Sequence, residues 1–451
     1  MKGPSEAHIV HEMMKKERGK KKVVDEVKEE EDPPRSAEEA KQAQLIKDIT
    51  SRCQMYNDDA DSTHNFWVTQ PMERLSDIQD LSLEDGPIVV TRSEVKQDPY
   101  ALPSNYEWID CDLNCDDMSS QVAVMLTQNF TARGYMLRET YSKDFLRWAL
   151  QPPNYYASWH FGVCVKKTKK LVAFIGGVPS RIRVRGNKEV VNMAAVKILC
   201  VHEKLRSQKL GALMMREMNR RVQSQNIWQG IFASGVIVPT PISTYTYWTR
   251  ILNVKKLLAF GVWMSQSPDG KDMSVETAEK LYKVPGKVVT PGFRKMLPSD
   301  VSAVTQLIGQ YLSQFEVAEY FTSEQVQHFL LPRQGVIDSY VVVNAVTSSV
   351  SDFCSFYTFY YSCESQKEPV KFAYSFYNIA TTMPLVQLMM DALVMAKKEK
   401  FDIFAAADIM ENGSFLEKLK FEATPNRKHL YLYNQRLKTG VKASNVGVVL
   451  I

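Results

Sequence analysis

The sequence has 451 residues, of which 45% are hydrophobic and 24% are charged, and its formal net charge is +5. This length predicts two or three domains with a large buried core, and the composition is typical of an ordinary globular protein. The nearly balanced charge argues against a nucleic-acid groove, which needs basic residues concentrated on one face, and is compatible with an anionic small-molecule ligand.

Cysteine and histidine usage excludes further classes of protein. The seven cysteines are scattered and lack a CxxC spacing, which favours reduced thiols in a cytoplasmic protein over a disulfide framework. His160 and His202 lack partner ligands at metal spacing, so we expect no metal site and no bound prosthetic group. We also expect no signal peptide, and no membrane span because no apolar run approaches about 18 residues.

Residues 1–60 differ from the rest of the chain. A basic block and an acidic block precede two prolines, and the segment has little apolar content with which to build a core. We expect a disordered, solvated tail, with a helix capped by Ser36 near its end. A basic block can also bind an anionic surface such as ribosomal RNA, so contact with the ribosome is a second interpretation of this tail.

The globular part alternates helices with apolar strands in chain order. Helical periodicity covers residues 121–130 and 143–150, and the strand-like runs 160–167 and 171–185 are joined by a polar turn. A longer strand at 190–201 leads through a basic loop into a helix at 210–225, and 227–238 is a strand.

The second half repeats this order without a residue-level repeat. It predicts helices at 298–315 and 383–401, and the predicted strands are 335–346, 350–362, 371–380 and 402–409. The fold class is therefore α+β, as two similar domains in tandem, each with a mixed, mainly antiparallel sheet flanked by helices. We place the first domain at 61–262 and the second at 263–451.

The stretch from 196 to 221 combines an apolar strand, a basic loop and an amphipathic helix. Lys204, Arg206 and Lys209 lie in the loop, and Gly211 with its small neighbour lets a ligand approach the main chain. The free amides and the dipole of a helix N-terminus favour a polyanion, and the cations add to that preference. A solvated basic loop is the alternative, since basic loops before helices are common.

A set of motifs in a fixed order along the chain favours the anion site over a solvated basic loop. It covers nearly the whole globular part, from residue 66 to residue 451. The motifs are NFWVTQPM, WALQPPNYYASWHFGV, LVAFIGGVP, LCVHEKLRS, GVIVPTP, AYSFYN and SFLEKLKF. Together they resemble the N-myristoyltransferase family, of which this chain is a divergent member.

The resemblance implies a fold and an activity. The family consists of two acetyltransferase-like (GNAT) halves, the first binding acyl-CoA and the second binding peptide. It transfers a tetradecanoyl group from myristoyl-CoA, a co-substrate, to the N-terminal glycine of client proteins. We therefore expect an acyltransferase in the cytoplasm that acts as a monomer.

The resemblance also assigns residues to the acyl-CoA site. The matching positions lie in one N-terminal segment and in the strand, loop and helix described above. They are Asn65, Phe66, Trp67, Ile198, Leu199, Cys200, Val201, Arg206, Ser207, Lys209, Leu210 and Gly211. Lys209 stands where the family often has Arg, which keeps the charge but loses bidentate geometry. For Trp67, simple core packing is the alternative.

The catalytic groups implied by the resemblance are main-chain groups. The amides of Ile198 and Leu199 match the oxyanion hole, and the terminal carboxylate of Ile451 matches the base that accepts a proton from the glycine ammonium. An ordinary buried C-terminal strand is the alternative reading of the last residues.

The peptide-facing positions depart from the family. Tyr247 and Tyr374 match positions that line the peptide groove, whereas Lys197 replaces an Asn, Ala233 a Thr and Thr249 a His. A cation at Lys197 would raise the cost of an ammonium nucleophile by about 4 kcal/mol at most, unless it points away or pairs with a carboxylate such as the terminus.

Two segments that match peptide-contacting parts of the family have also lost acidic substrate contacts. Arg133 makes basic a loop that is rich in Asp in the family, and residues 421–430 lack a Gly- and Asp-containing signature. Two hypotheses follow: a working transferase with altered peptide preference, which we favour, and a non-catalytic relative that binds acyl-CoA or lipidated N-termini.

Overall fold

The computed structural model describes residues 65–74, 77, 80, 82–89, 94–131, 137–185, 190–238, 240–260, 273–363 and 366–451. The tail at 1–60 and Arg133 lie outside these residues, so the predictions made for them stay predictions.

All strands in the described part of the chain belong to one mixed sheet of 15 strands. The first seven are β1 Tyr106–Asp110, β2 Arg138–Thr140, β3 His160–Val165, β4 Leu171–Val184, β5 Val191–Val201, β6 Gln229–Ser234 and β7 Ser243–Ile251. The others are β8 Phe293–Lys295, β9 Val317–Glu319, β10 Ile337–Val343, β11 Val350–Ser362, β12 Val370–Ile379, β13 Ile403–Ala407, β14 Glu422–Tyr433 and β15 Val446–Gly447.

Helices flank this sheet. In the described residues they are α1 Asn65–Val68, α2 Asp116–Asn129, α3 Lys143–Leu150, α4 Leu210–Gln223, α5 Val254–Ala259, α6 Val275–Leu281, α7 Val301–Leu312, α8 Ser323–Leu330 and α9 Leu385–Lys398. None of them combines the length and the apolar character that a bilayer crossing requires. The predicted α+β class is confirmed.

The main path of the sheet runs β1-β3-β4-β5-β6-β14-β7-β13-β12-β11-β10-β8. Most neighbours are antiparallel, but β5–β6, β12–β13 and β9–β15 are parallel. Strand β7 belongs to the first half of the sequence, yet it lies between β14 and β13 of the second half. The two halves therefore share one continuous sheet and exchange strands at its centre.

The long periodic segments were predicted well. Helix α3 and strand β11 have the predicted bounds, 143–150 and 350–362. In α4, Met214, Met218 and Val222 recur every four residues and are buried against β3, β4 and β5, which explains why this stretch is helical. The short strands β2, β8 and β9 were not predicted, and neither were the longer strands β7 and β14, of nine and twelve residues.

Candidate active site

Strands β5 and β6 separate near the middle of the sheet. They pair in parallel only from Met193 to Ala195, opposite Gln229 to Ile231. Past Ala195, β5 has no strand partner on that edge in the part of the chain that the structure describes. Alternate main-chain N–H and C=O groups of β5 therefore face the gap, where a ligand can pair with them.

A β-bulge precedes the predicted oxyanion residues. Gly177 lies opposite Val196 and Gly176 lies opposite Ile198, so Lys197 is the extra residue on β5. The side chains agree with this register, because Val196 packs beneath α4 whereas Ile198 lies in the central core cluster. Bulges redirect side chains and main-chain groups next to functional sites. The half-buried Lys197 is thus held at the point where β5 leaves β6.

An apolar cleft opens where β5 and β6 part. It encloses about 460 Å³ of empty space, counting the part open to solvent, and Phe66, Trp67, Val196 and Met215 are among its lining residues. The Trp67 ring stacks on Phe232 with centroids 5.1 Å apart. Trp67 can therefore both pack against the protein and contact a ligand, because its ring stacks on Phe232 while the residue also lines the cleft.

The basic loop after β5 is a 3-10 turn, Glu203–Gln208, that contains Arg206 and Ser207. Arg206 donates to the main-chain carbonyl of Val201 at 3.3 Å and also to that of Asn129, which ties the turn to the end of α2. Part of this guanidinium is thus committed to the protein itself, which sequence reasoning did not reveal.

Lys209 links this turn to α4 in a left-handed conformation, with φ of 58°. Its side chain is exposed and forms no cap to the helix within the described chain, so the first amides of α4 are available to a ligand. Leu210 is buried, and at Gly211 a Cβ would meet Val201 only at 3.9 Å. The N-terminus of α4 thus presents uncapped donors beside a lysine, as an anion site requires.

Tyrosines from both halves of the sequence pack together at the predicted peptide groove. The rings of Tyr247 and Tyr374 meet edge to face at 5.8 Å, and the hydroxyls of Tyr374 and Tyr361 are 2.7 Å apart. Burial raises the pKa of Tyr247 to about 12 and that of Tyr374 well above its usual range, so both stay neutral. The two residues predicted to line a peptide groove therefore lie together.

Glu139 on β2 is a carboxylate within this groove that sequence reasoning missed. It accepts a hydrogen bond of 2.7 Å from the Tyr141 hydroxyl, and burial raises its pKa. Its charge acts on the Cys200 thiol of β5 and on the Tyr374 hydroxyl, and the Lys428 ammonium attracts it. Glu139 thus lies between the strand with the predicted oxyanion amides and these tyrosines.

The C-terminal segment is anchored in the core of the protein. Val448 and Val449 are buried, and Leu450 and Ile451 pack against the central core cluster, which extends through both halves of the chain and also contains Ile198 and Cys200. The main-chain N–H of Val449 donates to the Tyr377 hydroxyl of β12 at 3.3 Å, which fixes the segment against the sheet.

Comparisons with known proteins agree with this arrangement. The family models for the N-terminal and C-terminal domains of myristoyl-CoA:protein N-myristoyltransferase match residues 88–245 and 264–449. This chain belongs to the N-myristoyltransferase family. It is 51% identical to glycylpeptide N-tetradecanoyltransferase 1 of Arabidopsis thaliana, over 90% of this chain and 95% of that one. It is 38% identical to glycylpeptide N-tetradecanoyltransferase 2 of Bos taurus, over 90% of this chain and 81% of that one.

A solved structure extends the comparison to three dimensions. The N-myristoyltransferase of Saccharomyces cerevisiae with bound myristoyl-CoA is 31% identical and superposes with a TM-score of 0.81. The match covers 87% of this chain and 100% of the yeast chain. The fold of this N-myristoyltransferase is therefore that of a relative solved with myristoyl-CoA.

The substituted positions of this family member cluster on the peptide side. Ala233 lies on β6 opposite Leu430 of β14 and is half-buried. Thr249 lies on β7 opposite Ala405, with Glu422 of β14 on its other side. Lys428 follows on β14, and its ammonium would be 3.8 Å from a Cβ at Gly235. Residues 421–430 thus place the Lys428 cation near β6 and the Glu422 carboxylate beside β7.

Cysteine and histidine chemistry does not enter this site. Burial raises the pKa of Cys200 to about 12, so its thiol stays protonated and is a poor nucleophile. The six cysteines in the described residues are free of disulfides. His160 is buried 3.2 Å from the Gly177 carbonyl, and burial lowers its pKa to about 4. Within the described residues, no group of three or more potential ligands could hold a metal ion.

Proposed function

We propose that this protein transfers a tetradecanoyl group from myristoyl-CoA to the N-terminal glycine of client proteins. The observation that carries the proposal is the free edge of β5 beside an apolar cleft, with the predicted oxyanion amides just past the point where β5 leaves β6. Acyl transfer needs an acyl-donor site, oxyanion donors and a base within reach of one carbon atom. The cleft and β5 offer candidates for the first two, and the terminal carboxylate of Ile451 is the proposed base.

The coenzyme binds, in this proposal, along the gap between β5 and β6. Phe66 and Trp67 contact it from the cleft, and the Asn65 main chain lies at the start of the same helix. The amides at the N-terminus of α4, with Lys209, hold its phosphates. Leu199 to Val201 pair with it through their free main-chain groups. Ser207 and Arg206 shape the turn around the phosphates.

The reaction we propose is direct transfer. The terminal carboxylate of Ile451 accepts a proton from the glycine ammonium, and the neutral amine attacks the thioester carbon. The carbonyl oxygen becomes an oxyanion that the amides of Ile198 and Leu199 stabilise. The C–N bond is formed in this intermediate; its collapse restores the carbonyl and breaks the C–S bond, and the nitrogen gives its second proton to the departing sulfur. The products are the amide and the coenzyme thiol.

We assign acyl-CoA binding to residues 61–262 and peptide binding mainly to 263–451. The cleft residues of β5, β6, α1 and α4 support the first assignment, and Tyr374 on β12 supports the second. Tyr247 and Glu139 contribute to peptide binding from the first half, because β7 and β2 pair with strands of the second half. Lys197 and Ala233 lie at the border between the two sites.

The alternative, a non-catalytic relative that binds acyl-CoA or lipidated N-termini, is not favoured. Relatives with 51% and 38% identity over nine-tenths of this chain carry the name glycylpeptide N-tetradecanoyltransferase.

A thiol-release assay tests the proposed transfer. Purified protein is mixed with myristoyl-CoA and a panel of peptides that begin with glycine, and the same peptides beginning with alanine are the control. We expect release of the coenzyme thiol and a mass gain of one tetradecanoyl group on glycine peptides alone. Tight coenzyme binding with no acylated peptide would support the binder instead.

We propose further that the protein acts as a monomer in the cytoplasm and that its basic tail contacts ribosomes. Free cysteines support the compartment. Sedimentation of the full chain, and its co-sedimentation with ribosomes with and without residues 1–60, test the monomer and the ribosome contact. Microscopy of a tagged full chain in cells tests the compartment.

A further inference from the structure

Lys197 presents an electrostatic problem for the proposed reaction. It precedes the predicted oxyanion amides of Ile198 and Leu199, and as the bulge residue of β5 it cannot leave the site without a change of register. The reaction brings a glycine ammonium to the same region. An unbalanced cation there would repel the nucleophile and would itself be costly to bury.

The charge that acts on Lys197 comes from Glu319, at the end of strand β9. Burial lowers the pKa of Lys197 and raises that of Glu319, and attraction between the two charges opposes both shifts. Strand β9 pairs with the far end of β4, where Glu319 lies opposite Ile182, and β4 also pairs with the bulged part of β5. The carboxylate therefore comes from a different strand, across the sheet.

Two hydrogen bonds hold the Glu319 carboxylate in place. The buried Ser180 hydroxyl donates to Oε1 at 3.1 Å, and the buried Tyr377 hydroxyl donates to Oε2 at 3.2 Å. Each oxygen thus has its own donor, which favours one orientation of the carboxylate. A carboxylate fixed in this way keeps one position, from which it attracts the Lys197 ammonium.

Tyr377 continues the network to the C-terminal segment. Its hydroxyl oxygen accepts a hydrogen bond of 3.3 Å from the main-chain N–H of Val449, two residues before Ile451. One buried hydroxyl therefore joins the counter-charge of Lys197 to the segment that carries the proposed base. Loss of the Glu319 carboxylate would leave a lysine unbalanced at the bulge and would remove an acceptor that orients Tyr377.

We propose that Glu319 is a positioning residue of this transferase, which neutralises Lys197 beside the oxyanion amides and, through Tyr377, orders the segment that ends at Ile451. This inference rests on the proposed function. It makes Lys197 and Glu319 a mutually dependent pair. A protein that keeps only one of the two charges is expected to turn over more slowly than a protein that keeps both or has lost both.

A double-mutant cycle tests the pair. The variants are Glu319→Gln, Lys197→Met and the double substitution, with kcat, both KM values and the unfolding temperature measured for each. We expect each single substitution to lower kcat at least tenfold with the KM for myristoyl-CoA within twofold, and the double variant to recover to within threefold of the unsubstituted protein. Full kcat in Glu319→Gln, or a double variant no better than either single one, would overturn the proposal.

A matched variant separates positioning from general stability. Asp338 is a buried carboxylate that forms an ion pair with Lys295 at 3.1 Å, on strand β10 away from the cleft. Asp338→Asn is expected to lower the unfolding temperature without changing kcat. If it lowers kcat of the folded protein as much as Glu319→Gln does, the effect is one of stability and the positioning role is wrong.

Amide hydrogen exchange tests the link to Val449 without any turnover. Tyr377→Phe and Glu319→Gln are expected to speed exchange in the peptide that contains residues 446–451 at least tenfold. Tyr340→Phe is the control, because that buried hydroxyl has no hydrogen-bond partner among the described residues. Unchanged exchange in Tyr377→Phe would refute the link. Absence of acyl transfer by the unsubstituted protein, with residues 446–451 protected, would instead refute the proposed function alone.

Discussion

The coenzyme side and the peptide side of the cleft use different kinds of chemical group. On the proposed coenzyme side, the polar groups belong to the main chain, at the free edge of β5 and at the N-terminus of α4. Phe66 and Trp67 add an aromatic surface. On the peptide side, tyrosine hydroxyls and buried charges such as Glu139 provide the polar groups. Main-chain donors remain when side chains change, whereas a buried side-chain charge needs a partner.

This difference bears on the positions that depart from the family pattern. On the proposed coenzyme side the departure at Lys209 keeps the charge, and main-chain amides supply the other donors. On the proposed peptide side, Lys197 is attracted by Glu319 and Glu139 by Lys428. A buried charge without a counter-charge is strongly destabilising, so we expect each of these charges to depend on its partner.

The largest expected effect comes from moving the proposed base. Removal of Leu450 and Ile451 places the terminal carboxylate two residues earlier, and we expect turnover to fall by about 10²- to 10⁴-fold, the usual contribution of a general base. Affinity for myristoyl-CoA, measured by titration calorimetry, should stay within threefold because the coenzyme groups lie on β5 and α4.

A side-chain variant is the control for that truncation. Ile451→Ala keeps the chain length and the carboxylate, so it is expected to retain turnover within about tenfold, with a small loss of packing against the central cluster. Equal turnover in the truncated and full-length proteins would show that the base lies elsewhere.

Glu139→Gln sharpens the comparison from the peptide side. A buried carboxylate near β5 attracts the peptide ammonium, so we expect the peptide KM to rise about three- to tenfold with the KM for myristoyl-CoA unchanged. Lys428→Met is the matched change, because it removes the attracting cation and should lower the peptide KM. An unchanged peptide KM in Glu139→Gln would remove this carboxylate from the peptide site.

The same variant has a predictable effect on stability against pH. Burial raises the pKa of Glu139 in the folded protein, so the folded state holds this proton more tightly than the unfolded chain does. The contribution of Glu139 to the free energy of unfolding is therefore fully present below the ordinary carboxyl pKa, and it is lost as pH rises through the pKa of Glu139 in the folded protein. Glu139→Gln should therefore raise the free energy of unfolding at neutral pH and match the parent protein in acid, as measured by urea titration.

The extent of prediction from sequence follows the regularity of the apolar pattern more than the length of the element. Strand β11 and helix α3 carry enough periodicity to be predicted to the residue, whereas the twelve-residue strand β14 has a polar first half and was missed. The predicted roles of Tyr247, Tyr374 and the loop before α4 came from motifs with a fixed order along the chain.

The functional residues that sequence reasoning missed lie on the shortest strands. Glu139 is on β2 and Glu319 is on β9, each three residues long. Three residues carry no periodicity, and these strands exist only because they pair with β11 and β4. The attraction between Lys197 and Glu319 could not be inferred from spacing, because the sheet, and not the chain, brings them together.

The smallest expected effect concerns the charge at the N-terminus of α4. Lys209→Gly removes the cation and suits the left-handed φ of 58°, so the unfolding temperature should be unchanged or slightly higher. An exposed cation near a phosphate contributes about 0.2–1 kcal/mol, so we expect the KM for myristoyl-CoA to rise about two- to fivefold and to depend less on salt. Lys400, exposed with a φ of 59°, offers the matched control: Lys400→Gly relieves the same strain far from the cleft and should leave that KM unchanged.

A KM for myristoyl-CoA that stays constant in both variants would mean that the main chain of α4 holds the phosphates without help from Lys209. The contrast between main-chain and side-chain recognition would then be sharper than we propose.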